Sequence, residues 1–154
     1  MARTLCFGLL LLGLLGVCPG AAWAANAYVQ FKGKGNAPYI TNLKFHYALM
    51  PGPIEEVIVV IPEQTKYEKY PLSQVRQIEF LQVVGEKKMC PVYRVRLHLR
   101  MPGHWREVFL MPLRELQGVS FGAPWTFPVD YDRGYDENAG ELQEIRVAPA
   151  KPGL

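Results

Sequence analysis

Cysteine is scarce, and most of it lies at the start of the chain. Of three cysteines in 154 residues, Cys6 and Cys18 precede residue 25 and only Cys90 follows. One cysteine cannot close an internal bridge, so no disulfide framework holds the fold. Its setting, Met89-Cys90-Pro91 at the start of a strand-like run, is that of a small buried hydrophobe. A nucleophilic role would need a partner base, and no local motif supplies one. Serine is nearly absent as well: only Ser73 and Ser120 occur, neither in a Gly-x-Ser-x-Gly elbow. His46, His98 and His104 have no ligand-like spacing, and no HExxH or paired-cysteine pattern offers a zinc site. Gly33-Lys34-Gly35 lacks the following helix that would make it a phosphate cradle. The sequence calls for no cofactor.

Long hydrophobic runs are limited to one. Leu5 to Cys18 carries no charge, follows Arg3 and precedes Ala22-Trp23-Ala24, a small-x-small cleavage pattern. Residues 1–24 read as a secretory signal peptide, too short to span a bilayer and followed by no second apolar run. The expectation is export to a periplasm or beyond, with no transmembrane segment after cleavage. A lipoprotein anchored through Cys18 is the alternative; Val17 before it and Pro19 after it fit that processing poorly. Intact mass of the exported protein is expected to match residues 25–154. A species starting at a lipidated Cys18, or one retaining Met1, would contradict this.

Charge of one sign is also missing. Residues 25–154 carry 16 Lys and Arg against 14 Asp and Glu. An exported chain with so small a net charge, and no aromatic stacking platform visible beside its arginines, is a poor nucleic-acid binder.

What the chain does have is turns. Twelve prolines and ten glycines follow residue 24, and β-branched and aromatic residues fill the spaces between. Long helices are excluded, and the pattern predicts an all-β fold over 25–147, a small β-sandwich or partly open barrel, with a disordered tail over 148–154. Alternation is clearest in two runs. Leu43, Phe45, Tyr47 and Leu49 oppose Lys44, His46, Ala48 and Met50; Tyr93, Val95, Leu97 and Leu99 oppose Arg94, Arg96, His98 and Arg100. Val57 to Ile61 is apolar without alternation and should be covered on both faces. Glu63 to Tyr70 reads as an extended hairpin arm or loop. Gly85-Glu86-Lys87-Lys88 reads as a hairpin turn. Trp125 to Tyr131, with Pro124 and Pro128, belongs at a sheet edge.

An internal echo suggests a pseudo-twofold repeat. Pro71-Leu72, Val75, Ile78 and Phe80 recur as Pro112-Leu113, Leu116, Val119 and Phe121. Each copy reads as one helical turn, proline first, running into a short strand. Both copies should be buried at equivalent corners.

Three features bear on function. Arg94, Arg96, His98 and Arg100 share one outward strand face, flanked by Lys87, Lys88 and Arg106. Open to solvent, they would bind an anionic envelope component or an acidic protein surface. Paired with Glu55, Glu56, Glu79 or Glu107 on neighbouring strands, they would be structural. The acidic end of the chain, net −3 over residues 130–154, could also lie across them. Asp130, Asp132 and Asp136 partly resemble a calcium loop, but Arg133 and Gly134 interrupt the ligand pattern, and a polar surface loop is the simpler reading. The sequence therefore points to an exported binding or structural module of the cell envelope. A small secreted enzyme with an unrecognised pocket is the alternative.

Overall fold

The computed structural model describes residues 25–61, 63, 66–130 and 141–149. Residues 1–24 (Cys18 among them), Asp132, Asp136 and residues 150–154 lie outside the described residues.

The protein is nearly all β. Its strands are β1 (Ala27–Phe31), β2 (Tyr39–Tyr47), β3 (Glu56–Val60), β4 (Tyr67–Pro71), β5 (Val75–Lys87), β6 (Cys90–Leu99), β7 (Trp105–Leu110), β8 (Leu113–Ser120), β9 (Ala123–Pro128) and β10 (Leu142–Val147). A 3-10 turn, Leu72–Gln74, separates β4 from β5. The ten strands form one antiparallel sheet in the order β9-β8-β2-β1-β10-β5-β6-β7-β3-β4. Local hairpins and the β5-β6-β7 meander supply most neighbours, as short connections require. The last strand, β10, joins them by pairing with β1 on one side and β5 on the other.

The sheet curls without closing into a barrel. Its seam is a single bridge: Phe45 N–H donates to the Ile54 carbonyl at 2.8 Å and Ile54 N–H returns to Phe45 at 2.9 Å. Tyr47 reinforces it. The hydroxyl donates to the Glu56 carbonyl at 2.7 Å and accepts from Ile58 N–H at 2.9 Å. Inside the curl lies one core, including Val29, Ile40, Phe45, Val57, Ile78, Val95, Leu97, Val108, Leu116 and Ile145. Both alternating runs fill it as their period demands: Leu43, Phe45 and Tyr47 from β2, and Tyr93, Val95 and Leu97 from β6, are buried. The continuous run Val57-Ile58-Val59 is buried at every residue. The arm after it pairs along β3 as β4. Pro124 and Pro128 sit in β9, an edge strand with β8 as its one neighbour, where a missing N–H costs least.

Three expectations are corrected. Pro112-Leu113-Arg114-Glu115-Leu116 is no helical turn: Leu113 starts β8. The register shifts there, Tyr47 facing Leu113 and His46 facing Glu115, so Arg114 is an extra residue in a β-bulge. That bulge turns Leu113 and Leu116, three apart, to the same buried side. The two copies of the echo are therefore not equivalent. Leu72, Val75, Ile78 and Phe80 are all buried, but Phe121 is fully exposed at the β8–β9 turn with φ of 50°. The hairpin turn after β5 also falls later than expected. β5 runs through Gly85 to Lys87, and the turn is Lys88-Met89, both with positive φ, the backbone that matches strand twist in a two-residue hairpin.

At the chain's end, Ala148 belongs to the fold. Its N–H donates to the Asn26 carbonyl at 2.7 Å, continuing the β1–β10 register beyond Val147.

Candidate functional site: the outer face of the β6 strand

Outward residues of β6 sit among outward residues of β5 and β7, because cross-strand partners share a face. Register pairs Gln77 with His98, Glu79 with Arg96 and Gln82 with Arg94 on one side. On the other it pairs Arg96 with Glu107 and His98 with Trp105. The expected strip thus gathers on one face, and each member has a partner. Arg94 donates to Glu107 Oε1 at 2.8 Å and to Gln82 Oε1 at 3.0 Å. Arg96 reaches Glu107 Oε2 at 3.4 Å and lies 3.9 Å from Glu79 Oε2. His98 Nε2 lies 2.5 Å from Glu79 Oε2. Glu79 and Glu107, two of the four carboxylates anticipated as structural partners, are the ones that engage the strip.

Arg100 has a different task. Its Nε donates to the Ser73 carbonyl at 3.1 Å, and its Nη2 to Val147 and Ala148 carbonyls at 3.1 and 2.8 Å. It clamps the end of β10 to the 3-10 turn. Arg106 leaves the strip altogether. It faces the same side as its buried partner Leu97 and donates to Glu68 Oε1 at 3.0 Å and Tyr70 at 2.6 Å. Partial burial, then the hydrogen bond to Glu68, raise the Tyr70 pKa above the ordinary tyrosine range.

Aromatic rings, not anticipated beside the arginines, complete this face. Trp105 is 53% exposed, and the Arg96 guanidinium lies 5.1 Å from its ring centre. Further along, Arg146 of β10 sits 5.3 Å from the Tyr28 ring, which meets Tyr39 at 4.9 Å. In sequence these residues lie in five separate strands, so no local motif could reveal them. Their signal was the outward phase of each strand, readable only once strand order is known.

Asp130 is buried and pairs with Arg114 at 3.4 Å, which ties it to β8 rather than to a solvent loop. Asp132 and Asp136 lie outside the described residues. Among the described residues no group of three or more metal-ligating side chains gathers, and no helix is long and apolar enough to cross a membrane. Cys90 is buried. Glu115 is a buried carboxylate on β8, hydrogen bonded by Gln117 and 3.8 Å from His46 Nδ1. Beside it, Asn42, Lys44, Glu55, Gln117 and Thr126 border an open cleft of about 450 Å³.

No protein-family model matches the chain, and neither a curated protein nor a solved structure matches it.

Proposed function

We propose that the protein is an exported binding module of the cell envelope and that the outer face of β2, β1, β10, β5, β6 and β7 is its recognition surface. The observation that supports this is the exposure of Trp105, Tyr28 and Tyr39 beside ordered guanidiniums on rigid strands. Aromatic and arginine side chains of this kind are enriched where proteins make contacts. An anionic partner would have to compete with Glu79 and Glu107 for Arg94 and Arg96. An acidic protein surface would meet the same competition. The second reading, a small secreted enzyme, draws on the open cleft bordered by Lys44 and Glu55.

Co-sedimentation of the purified protein with isolated cell-envelope material tests the proposal. The protein is expected in the pellet, with a several-fold lower bound fraction for Trp105→Ala and for Arg96→Ala. Release by high salt would mark a contact driven by charge. Protein that stays in the supernatant would overturn the proposal. Loss of binding on Gln117→Ala with Trp105→Ala unaffected would move the site to the cleft.

A further inference from the structure

The register places six outward side chains in one line across six strands. Tyr39 faces Tyr28, Tyr28 faces Arg146, Arg146 faces Gln77, Gln77 faces His98, and His98 faces Trp105. Five strand spacings of about 4.8 Å make this ladder about 24 Å long. One step along the strands, a parallel row runs Gln30, Glu144, Glu79, Arg96 and Glu107.

Three properties of these rows narrow the ligand. The first is charge balance. Arg94, Arg96 and Arg146 stand against Glu107, Glu79 and Glu144, and each of these guanidiniums is within 4 Å of at least one of those carboxylates, Arg146 reaching Glu144 at 2.9 Å. Arg100 directs its donors to backbone carbonyls and Arg76 lies 3.5 Å from His98 Nδ1, so the face keeps some positive charge, but the three ion pairs offset most of the field along the two rows.

The second is unused hydrogen-bonding capacity. A guanidinium carries five N–H donors and a carboxylate accepts at several lone pairs. Arg146 and Glu107 are 51% and 40% exposed in their side chains, so part of each group still faces solvent. Mutual pairing holds these planar groups in place, which lowers the ordering cost of binding. A complementary ligand is neutral and presents donors and acceptors side by side.

The third is the placement of the rings. Tyr39 and Tyr28 close one end of the ladder and Trp105 the other, each between 41% and 53% exposed. Two aromatic ends separated by a polar stretch fit an extended molecule with apolar C–H patches between its polar groups. A bilayer would need a continuous apolar surface, and the middle of this ladder is Arg146, Gln77 and His98.

We propose that the ladder binds a neutral polysaccharide chain lying across the strands, its hydroxyls meeting the guanidinium and carboxylate groups and its ring faces meeting Trp105 and the tyrosines. The assignment rests on the reading of this face as the recognition surface and names its ligand class. A pyranose unit is comparable in width to one strand spacing, so successive sugars can meet successive strands.

The test is affinity electrophoresis of the purified protein in gels containing a soluble β-1,4-glucan, an N-acetylglucosamine polymer made soluble by partial substitution with neutral groups, or polygalacturonate, each at low and high salt. At least one neutral polymer should retard the protein equally at both salt levels. Trp105→Ala and Tyr28→Ala should each weaken that binding about tenfold, as the loss of a ring contact with its ordered neighbours implies. Both positions are exposed, and unchanged circular dichroism would show that the variants fold. Retardation by polygalacturonate alone, lost at high salt, would overturn the assignment in favour of a charge-driven anion site. No retardation by either neutral polymer, or retardation indifferent to both substitutions, would also overturn it. If the protein still sediments with envelope material in those cases, the recognition surface stands and only its ligand class falls. If it does not sediment, both fall.

Discussion

Phe80→Ala should lower stability by about 3–5 kcal/mol, while Phe121→Ala should change it by no more than about 0.5 kcal/mol. The two phenylalanines occupy matching positions in the sequence echo, so the contrast isolates what the fold does with them. Phe80 is 5% exposed on β5, its ring 5.1 Å from Tyr93 in an edge-to-face arrangement within the core. Truncation there removes apolar area and leaves a cavity that neighbouring strands can only partly close. Phe121 stands in the β8–β9 turn at 101% exposure, with its backbone in the left-handed region at φ of 50°. It has no burial to lose, and alanine tolerates that backbone no worse than phenylalanine. Urea denaturation with matched m-values would measure both. Equal losses at the two sites would mean that the echo is a true structural repeat and that β8 has been placed wrongly.

The failure of the echo has a physical origin that recurs through the chain. A spacing of three between apolar residues signals a helical turn, but a β-bulge produces the same spacing, because one extra residue restores the original face. Val75 and Ile78 are both buried across the shift between the Val75–Leu99 and Gln77–His98 pairs. Leu113 and Leu116 are buried across the shift at Arg114. In β2, Ile40 and Leu43 are buried on either side of Asn42, whose φ of 54° marks the irregularity. The turn beside Val75 is genuine, since Leu72–Gln74 form a 3-10 turn, but the chain beyond it is bulged strand. Alternation was legible wherever the strand was regular, as in Leu43-Phe45-Tyr47 and Tyr93-Val95-Leu97. Sequence alone could not distinguish a bulge from a turn, since both satisfy the same burial pattern.

Legibility of the candidate site divides in the same way. The outward phase of Arg94, Arg96, His98 and Arg100 followed from the inward phase of their neighbours. Their partners followed only in part. Glu79 and Glu107, on strands adjacent in sequence, were among the carboxylates expected to pair with them. Arg146 and Glu144 come from β10, which inserts between β1 and β5 across most of the chain's length and brings Tyr28 of β1 to the same face. A long-range insertion leaves no local trace, so Arg146 and the tyrosines were invisible until the strand order was known, whereas Trp105 faces His98 across a neighbouring strand.

Tyr47→Phe should lower stability by about 1–3 kcal/mol although it removes a single oxygen atom. The hydroxyl is buried and answers two backbone groups at once, the Glu56 carbonyl and Ile58 N–H. Phenylalanine keeps the ring in the core and leaves both groups without that partner, so the loss is one of desolvated polar groups and not of packing. Tyr47→Ala should cost more, about 3–5 kcal/mol, because a cavity opens at the seam as well. Hydrogen exchange localises the effect: the Ile58 amide should exchange faster in Tyr47→Phe, while amides at the β1–β10 pairing should follow only the global change. The hydroxyl also imposes a pH dependence. Burial raises its pKa above the usual tyrosine value of 10.0. In the unfolded chain the phenol ionises near 10, in the fold it stays neutral, and stability is therefore full below about pH 10 and declines above it. Tyr70, also raised, contributes in the same direction. Tyr47→Phe should flatten that alkaline decline without abolishing it. A wild-type slope retained in the variant, or a loss below about 0.5 kcal/mol at neutral pH, would show that the seam between β2 and β3 does not depend on this hydroxyl.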